Sequence, residues 1–169
     1  RGIAHAAAVF DDRTVERLDE GVLDRTWRAK AVGAWRLHRA SEGRALDWWL
    51  AFSSAAALHG LPGQPAYASA NAYVDALVAL RRAAGLPATT VNWGTWAGVG
   101  AAAGIEVPWV RPIQPGEGLG LLADVVSAGA SGFGAVRLNT RRLATQFPDL
   151  VSVPFFAGLL GRSPGESAG

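Results

Sequence analysis

The sequence predicts an α/β fold, a doubly wound parallel sheet with helices on both faces, and three observations carry that prediction. Short runs of strand length are bounded by turn residues, each run is apolar along its length rather than alternating, and stretches with helical spacing stand between them. The chain opens in such a run, Gly2 to Val9, followed by Phe10-Asp11-Asp12. Val15, Leu18, Val22, Leu23, Trp27, Ala31, Ala34, Trp35 and Leu37 then recur at helical spacing, predicting one or two helices between Val15 and Ala40, broken near Gly21 and Gly33. Leu46 to Ser54 is a second strand ending in hydroxyls, as a buried parallel strand does where its C-terminal end meets a ligand crevice. A turn at Leu61 to Pro65 leads into a helix from Ala66 to Ala84, stopped by Gly85 with Pro87 beyond. Ala88 to Trp93 is a third strand, Gly94 to Gln114 a lid loop, and Pro115 to Ala128 a helix. Gly132 to Leu138 is a last strand, Thr140 to Phe147 a short helix, and residues 161–169 a linker after a catalytic unit spanning residues 1–160. Only about four strands are visible, which leaves a sheet edge where further strands should lie.

Composition narrows the function classes. With 169 residues, 50% hydrophobic and 18% charged, the chain has the balance of one globular domain able to build its own core. The absence of cysteine excludes a disulfide framework, a zinc-thiolate site and a thiol nucleophile. A net charge of +2, with basic residues scattered apart from the pairs Arg81-Arg82 and Arg141-Arg142, excludes the basic stripe that nucleic acid requires. No stretch approaches the roughly 20 apolar residues of a membrane span, and the N-terminus lacks a secretory layout. A cytoplasmic protein with no membrane or nucleic-acid partner is the expectation.

Four polar residues interrupt the apolar pattern: Lys30 on a helix, Ser54 at a strand end, and Tyr67 and Asn71 on the long helix. Tyr67 and Asn71 are one turn apart and share a helix face. A right-handed crossover returns that face to the sheet beside Ser54. A phenol with a hydroxyl and an ammonium nearby forms a proton-transfer kit: the cation favours the phenolate, and the serine holds a carbonyl oxygen in place. Such a kit suits carbonyl reduction paired with a hydride donor. Lys30 is the single lysine among sixteen basic residues, and arginine cannot serve as a compact donor there. Taken singly, each residue also has a structural reading: Tyr67 as a core residue with a wet hydroxyl, Ser54 as a cap, Lys30 and Asn71 as solvated helix positions.

The run Phe52-Ser53-Ser54-Ala55-Ala56 followed by Gly60 to Ala72, with Tyr67-Ala68-Ser69-Ala70-Asn71 at its centre, resembles the active-site signature of ketoreductase domains of modular polyketide synthases, within the short-chain dehydrogenase/reductase superfamily. His5-Ala6-Ala7-Ala8-Val9 is similar to that family's His-Ala-Ala-Gly strand end, Ala29 to His38 to its lysine helix, and Asn92-Trp93-Gly94-Thr95-Trp96 to its Trp-Gly-x-Trp loop. The resemblance is specific from Gly2 to about Val99 and weaker to about Leu160. It implies a Rossmann-like fold, NADPH as cofactor, and a β-ketoacyl thioester on an acyl carrier protein as substrate. It assigns Tyr67 as proton donor, Ser54 as the hydrogen-bond donor to the carbonyl, Lys30 as the cation and Asn71 as polar support. Ala6, Ala7, Lys30, Tyr67, Trp93 and Gly94 are implied to touch the cofactor, and Asp12, His59, Pro62 and Trp96 to face the substrate. Phe10-Asp11-Asp12 resembles the Leu-Asp-Asp motif of the type that gives a D-hydroxyl, and His59 stands where the opposite type has tryptophan. Ala8 replaces a usual glycine beside the cofactor.

The glycine-rich phosphate turn that holds the dinucleotide elsewhere in the superfamily is absent. The expectation is therefore a C-terminal catalytic part whose phosphate-binding half lies upstream and acts as its partner. Two other readings fit the residues: a non-catalytic scaffold piece of a multidomain synthase, or a related dehydrogenase or epimerase acting on a free small molecule.

Overall fold

The computed structural model describes residues 1–100 and 107–160. Four parallel strands, β1 (Gly2–His5), β2 (Trp48–Ser54), β3 (Thr89–Trp93) and β5 (Gly132–Ala135), form one sheet in the order β1-β2-β3-β5. A two-stranded antiparallel ribbon joins β4 (Val110–Arg111) to β6 (Arg137–Leu138). The α/β fold with a parallel sheet is thus as the sequence predicts.

The pleat of β2 divides the core. Trp49 and Ala51 point to one face, where they pack with Ala34, Val74, Leu77 and Val78 of the covering helices. Leu50 points to the other and joins Val91, Trp93, Ile113, Val125 and Ala135. Helices α1 (Glu20–Trp27), α2 (Gly33–Ala40) and the nineteen-residue α4 (Pro65–Ala83) supply the first layer; α5 (Pro115–Ser127) supplies the second. Pro65 opens α4 where its missing N–H costs nothing, and Gly85, at φ +72°, follows its end. Beyond β6 lie α6 (Thr140–Gln146) and α7 (Pro154–Leu159).

At the strands' N-terminal end the Arg81 guanidinium, 2% exposed, is stacked 4.9 Å from the Trp49 ring. It donates to Ser41 Oγ at 3.0 Å and to the Pro87 carbonyl at 3.3 Å, and it contacts His38 Nδ1 at 3.0 Å. These bonds tie the last turns of α2 and α4 together.

Three expectations need correction. The helix does not break at Gly33: after a 3-10 turn at Val15–Arg17 and an extended break at Leu18 and Asp19, close to the one expected near Gly21, α1 passes through a π-helical turn at Arg28–Val32 straight into α2. Gly33 continues the helix and is small for a reason, since a Cβ there would meet the His5 ring at 3.2 Å. Gly132 to Leu138 is two strands, because β6 leaves the sheet to pair with β4. The segment from Gly94 to Gln114, expected as one loop, contains β4 and a bridge from Trp96 to Ile113. Its residues 101–106, and residues 161–169, expected as a linker, lie outside the described residues.

Candidate active site

The strands' C-terminal ends surround a cleft of about 420 Å3. Open parallel sheets place ligand sites at that edge because side chains and loops converge there. Lys30, Ser54 and Tyr67 all line it, so the structure brings residues from three separate elements to one cleft.

Lys30 reaches the cleft from the π-helical turn. An inserted residue of that kind breaks the regular hydrogen-bond ladder and re-aims a side chain. The freed geometry is held by His5, whose ring Nε2 donates to the Lys30 carbonyl at 2.9 Å. The ammonium, 2% exposed, donates to the Phe52 carbonyl. Burial lowers its pKa to about 8, and the charge of Asp75 opposes that shift. His5 is itself buried, and burial holds its pKa below the ordinary value.

Ser54 is the last residue of β2. Its Oγ accepts from the Ala56 N–H at 3.2 Å, two residues on, at the start of the short helix α3 (Ala56–His59). The same side chain thus makes the local hydrogen bond of a turn residue and borders the cleft. Tyr67 lies in the first turn of α4, with the Phe10 ring 4.5 Å from its own. Burial raises its pKa, the Ser54 and Asn71 side chains offset part of that rise, and the charge of Asp12 adds to it. This differs from the expectation of a cation-tuned phenolate: desolvation is the largest influence on the phenol and works against its charged form.

Asn71 does not reach the cleft surface. It is fully buried, its Nδ2 donates to the Tyr67 carbonyl at 2.8 Å, and its Oδ1 has no partner. Ala6, Trp93 and Gly94 line the cleft, as do His59 and Trp96, and so does Ala8. Ala7 and Pro62 are exposed and stand outside it. Asp12 is also outside the lining, but it accepts the Gln64 amide at 2.9 Å, and Gln64 borders the cleft.

A polar network behind the site was missed by sequence reasoning. Asp75 accepts from Thr90 Oγ1 and from Asn92 Nδ2, each at 2.7 Å. Asn92 also donates to Ser53 Oγ at 3.1 Å, welding α4 to β2 and β3 immediately below Ser54. A signal was present: Tyr67, Asn71 and Asp75 recur every fourth residue on one helix face.

A family model described as the KR domain matches residues 1–98. The chain is 45% identical over 156 residues to a phenolphthiocerol/phthiocerol polyketide synthase protein of Mycobacterium tuberculosis, covering 92% of this chain and 8% of that protein. Among solved structures, an A1-type ketoreductase superposes with a TM-score of 0.85 at 35% identity, over 94% of this chain and 36% of its own. A-type ketoreductases from a modular polyketide synthase superpose at 0.83 with 38% identity, over 86% of this chain and 32% of theirs. The chain thus spans a small part of the curated relatives and about a third of the solved chains.

Proposed function

We propose, since this chain belongs to the KR domain family, the ketoreductase domains of polyketide synthases, that its cleft is the catalytic side of an NADPH-dependent reductase of β-ketoacyl thioesters presented on an acyl carrier protein. One observation carries the reading: Ser54, Tyr67 and the buried Lys30 converge on a single cleft at the sheet's C-terminal edge. In this scheme Ser54 Oγ donates a hydrogen bond to the substrate's β-carbonyl oxygen, and Tyr67 transfers its phenolic proton to that oxygen as the alcohol forms. Lys30 supplies positive charge beside the forming phenolate. Asn71 and the Asp75 network hold the helix bearing Tyr67 against the strand bearing Ser54.

The residues fit the nicotinamide end of a dinucleotide. The Lys30 ammonium uses one donor on Phe52 and keeps two. Trp93, on the same wall, carries a buried Nε1 with no partner. Lys30, Tyr67 and Trp93, with the backbone at Ala6 and Gly94, would hold that end, and the cofactor when bound supplies the hydride. The pyrophosphate would have to be held by residues other than these.

The stereochemical reading is a D-hydroxyl product. It rests on the resemblance of Phe10-Asp11-Asp12 to the Leu-Asp-Asp motif and on His59 standing where the opposite type has tryptophan; Phe10 and His59 both line the cleft, and Asp12 holds Gln64 at its border. Chiral analysis of the 3-hydroxyacyl product tests it; an L product overturns it.

The decisive substitution is Tyr67→Phe in the complete protein. Loss of a positioned proton donor lowers the rate by about 10²–10⁴-fold. An unchanged product profile with the folded protein intact would favour the scaffold reading. Equal turnover of free and carrier-bound thioesters would favour a free small-molecule substrate.

A further inference from the structure

We infer that Gly118 is a specificity-determining position: the absence of a side chain there sets where the Trp96 indole stands and so how wide the cleft is for an acyl chain. What the cleft binds rests on the ketoreductase reading above; the coupling between residues 118 and 96 does not.

Helix α5 carries Gly116, Gly118 and Gly120, each a residue that weakens a helix relative to alanine. At 116 and 120 a Cβ would enter open space. At 118 it would fall into the six-membered ring of Trp96, with Cζ3 at 2.7 Å and Cζ2 at 2.9 Å and Cη2 nearer still. Gly118 is buried, and the Trp96 ring occupies the space its side chain would take. The indole is confined on another side by Trp93, 4.8 Å between ring centroids. Its backbone is pinned: the Ala97 N–H donates to the Ile113 carbonyl and the Ile113 N–H to that of Thr95, each at 2.8 Å. Ile113 is 1% exposed and anchors this clamp in the core. With the backbone fixed, α5 behind and Trp93 beside it, the indole yields toward the cleft that it lines. A methyl at 118 therefore narrows the cleft without touching it.

The test measures kcat/KM for a short acetoacetyl thioester and a long-chain 3-ketoacyl thioester in the complete protein, comparing wild type, Gly118→Ala, Gly120→Ala and Trp96→Ala with and without Gly118→Ala. A methylene-scale change in an apolar pocket is worth about tenfold, so Gly118→Ala lowers the long-to-short ratio about tenfold. Gly120→Ala leaves it unchanged, and in the Trp96→Ala background Gly118→Ala has no effect on it. A wild-type ratio in Gly118→Ala, or the same loss without the indole, overturns the inference. Fluorotryptophan NMR separates this from the functional reading. The Trp96 resonance, assigned by its loss in Trp96→Ala, shifts in Gly118→Ala and not in Gly120→Ala, whether or not any thioester is reduced. An unmoved resonance overturns the inference while leaving the reductase reading intact.

Discussion

A lysine with a pKa lowered to about 8 carries its charge through neutral pH and loses it just above. If that charge assists Tyr67, reduction falls as pH rises through about 8, and Lys30→Arg, lower in overall rate, loses this limb because guanidinium stays protonated. A pH-kcat profile that keeps the same limb in Lys30→Arg assigns it to another group. Stability runs the other way. Between the folded value of about 8 and the free value of 10.5 the unfolded chain binds more protons, so unfolding free energy rises with pH in that window. Denaturant titrations from pH 7 to 11 show this rise in wild type and not in Lys30→Met. The place of this lysine in the cleft was legible in sequence because it is unique among arginines and lies in a matching segment. What was not legible is what its neighbours do to it: Asp75 shares the face of Tyr67 and Asn71, and His5 lies in a matched segment, but the charge that the one exerts on Lys30 and the bond that the other gives its carbonyl exist only once the fold joins distant segments.

At the scale of elements, β2 was readable because a parallel strand buried on both faces leaves a nearly uninterrupted apolar run, and α4 because proline and glycine bracket it. The π-helical turn was not, since a one-residue insertion hardly disturbs apolar spacing over two helical turns. It depends instead on a tertiary bond. His5→Ala removes the donor to the Lys30 carbonyl, and leaving that buried acceptor unpaired costs about 1–3 kcal/mol. Thermal unfolding measures the loss, and the pKa read from the pH profile should move with it as the ammonium is released from its aim. A variant with wild-type stability would show that the turn holds itself. The ribbon of β4 and β6 was equally hidden: two residues per strand carry no periodicity, and only pairing across the fold defines them.

For the molecule as a whole, the sequence-visible shortage of strands becomes a physical edge. Among the described residues β1 pairs with β2 alone, and Gly2 and Ala4 are exposed on it. An unpaired edge recruits other chains. The 169 residues by themselves should therefore form assemblies whose size grows with concentration in light scattering, and Ala4→Lys should shrink them. A monodisperse monomer at high concentration contradicts this. The N-terminal ends of the strands are tied by side chains instead. The Arg81 knot joins two helix ends through one rigid plane of donors, bonded to Ser41 and Pro87 and lying over Trp49. It works like the spine of a book, binding the two helix ends at the side of the sheet farthest from the cleft.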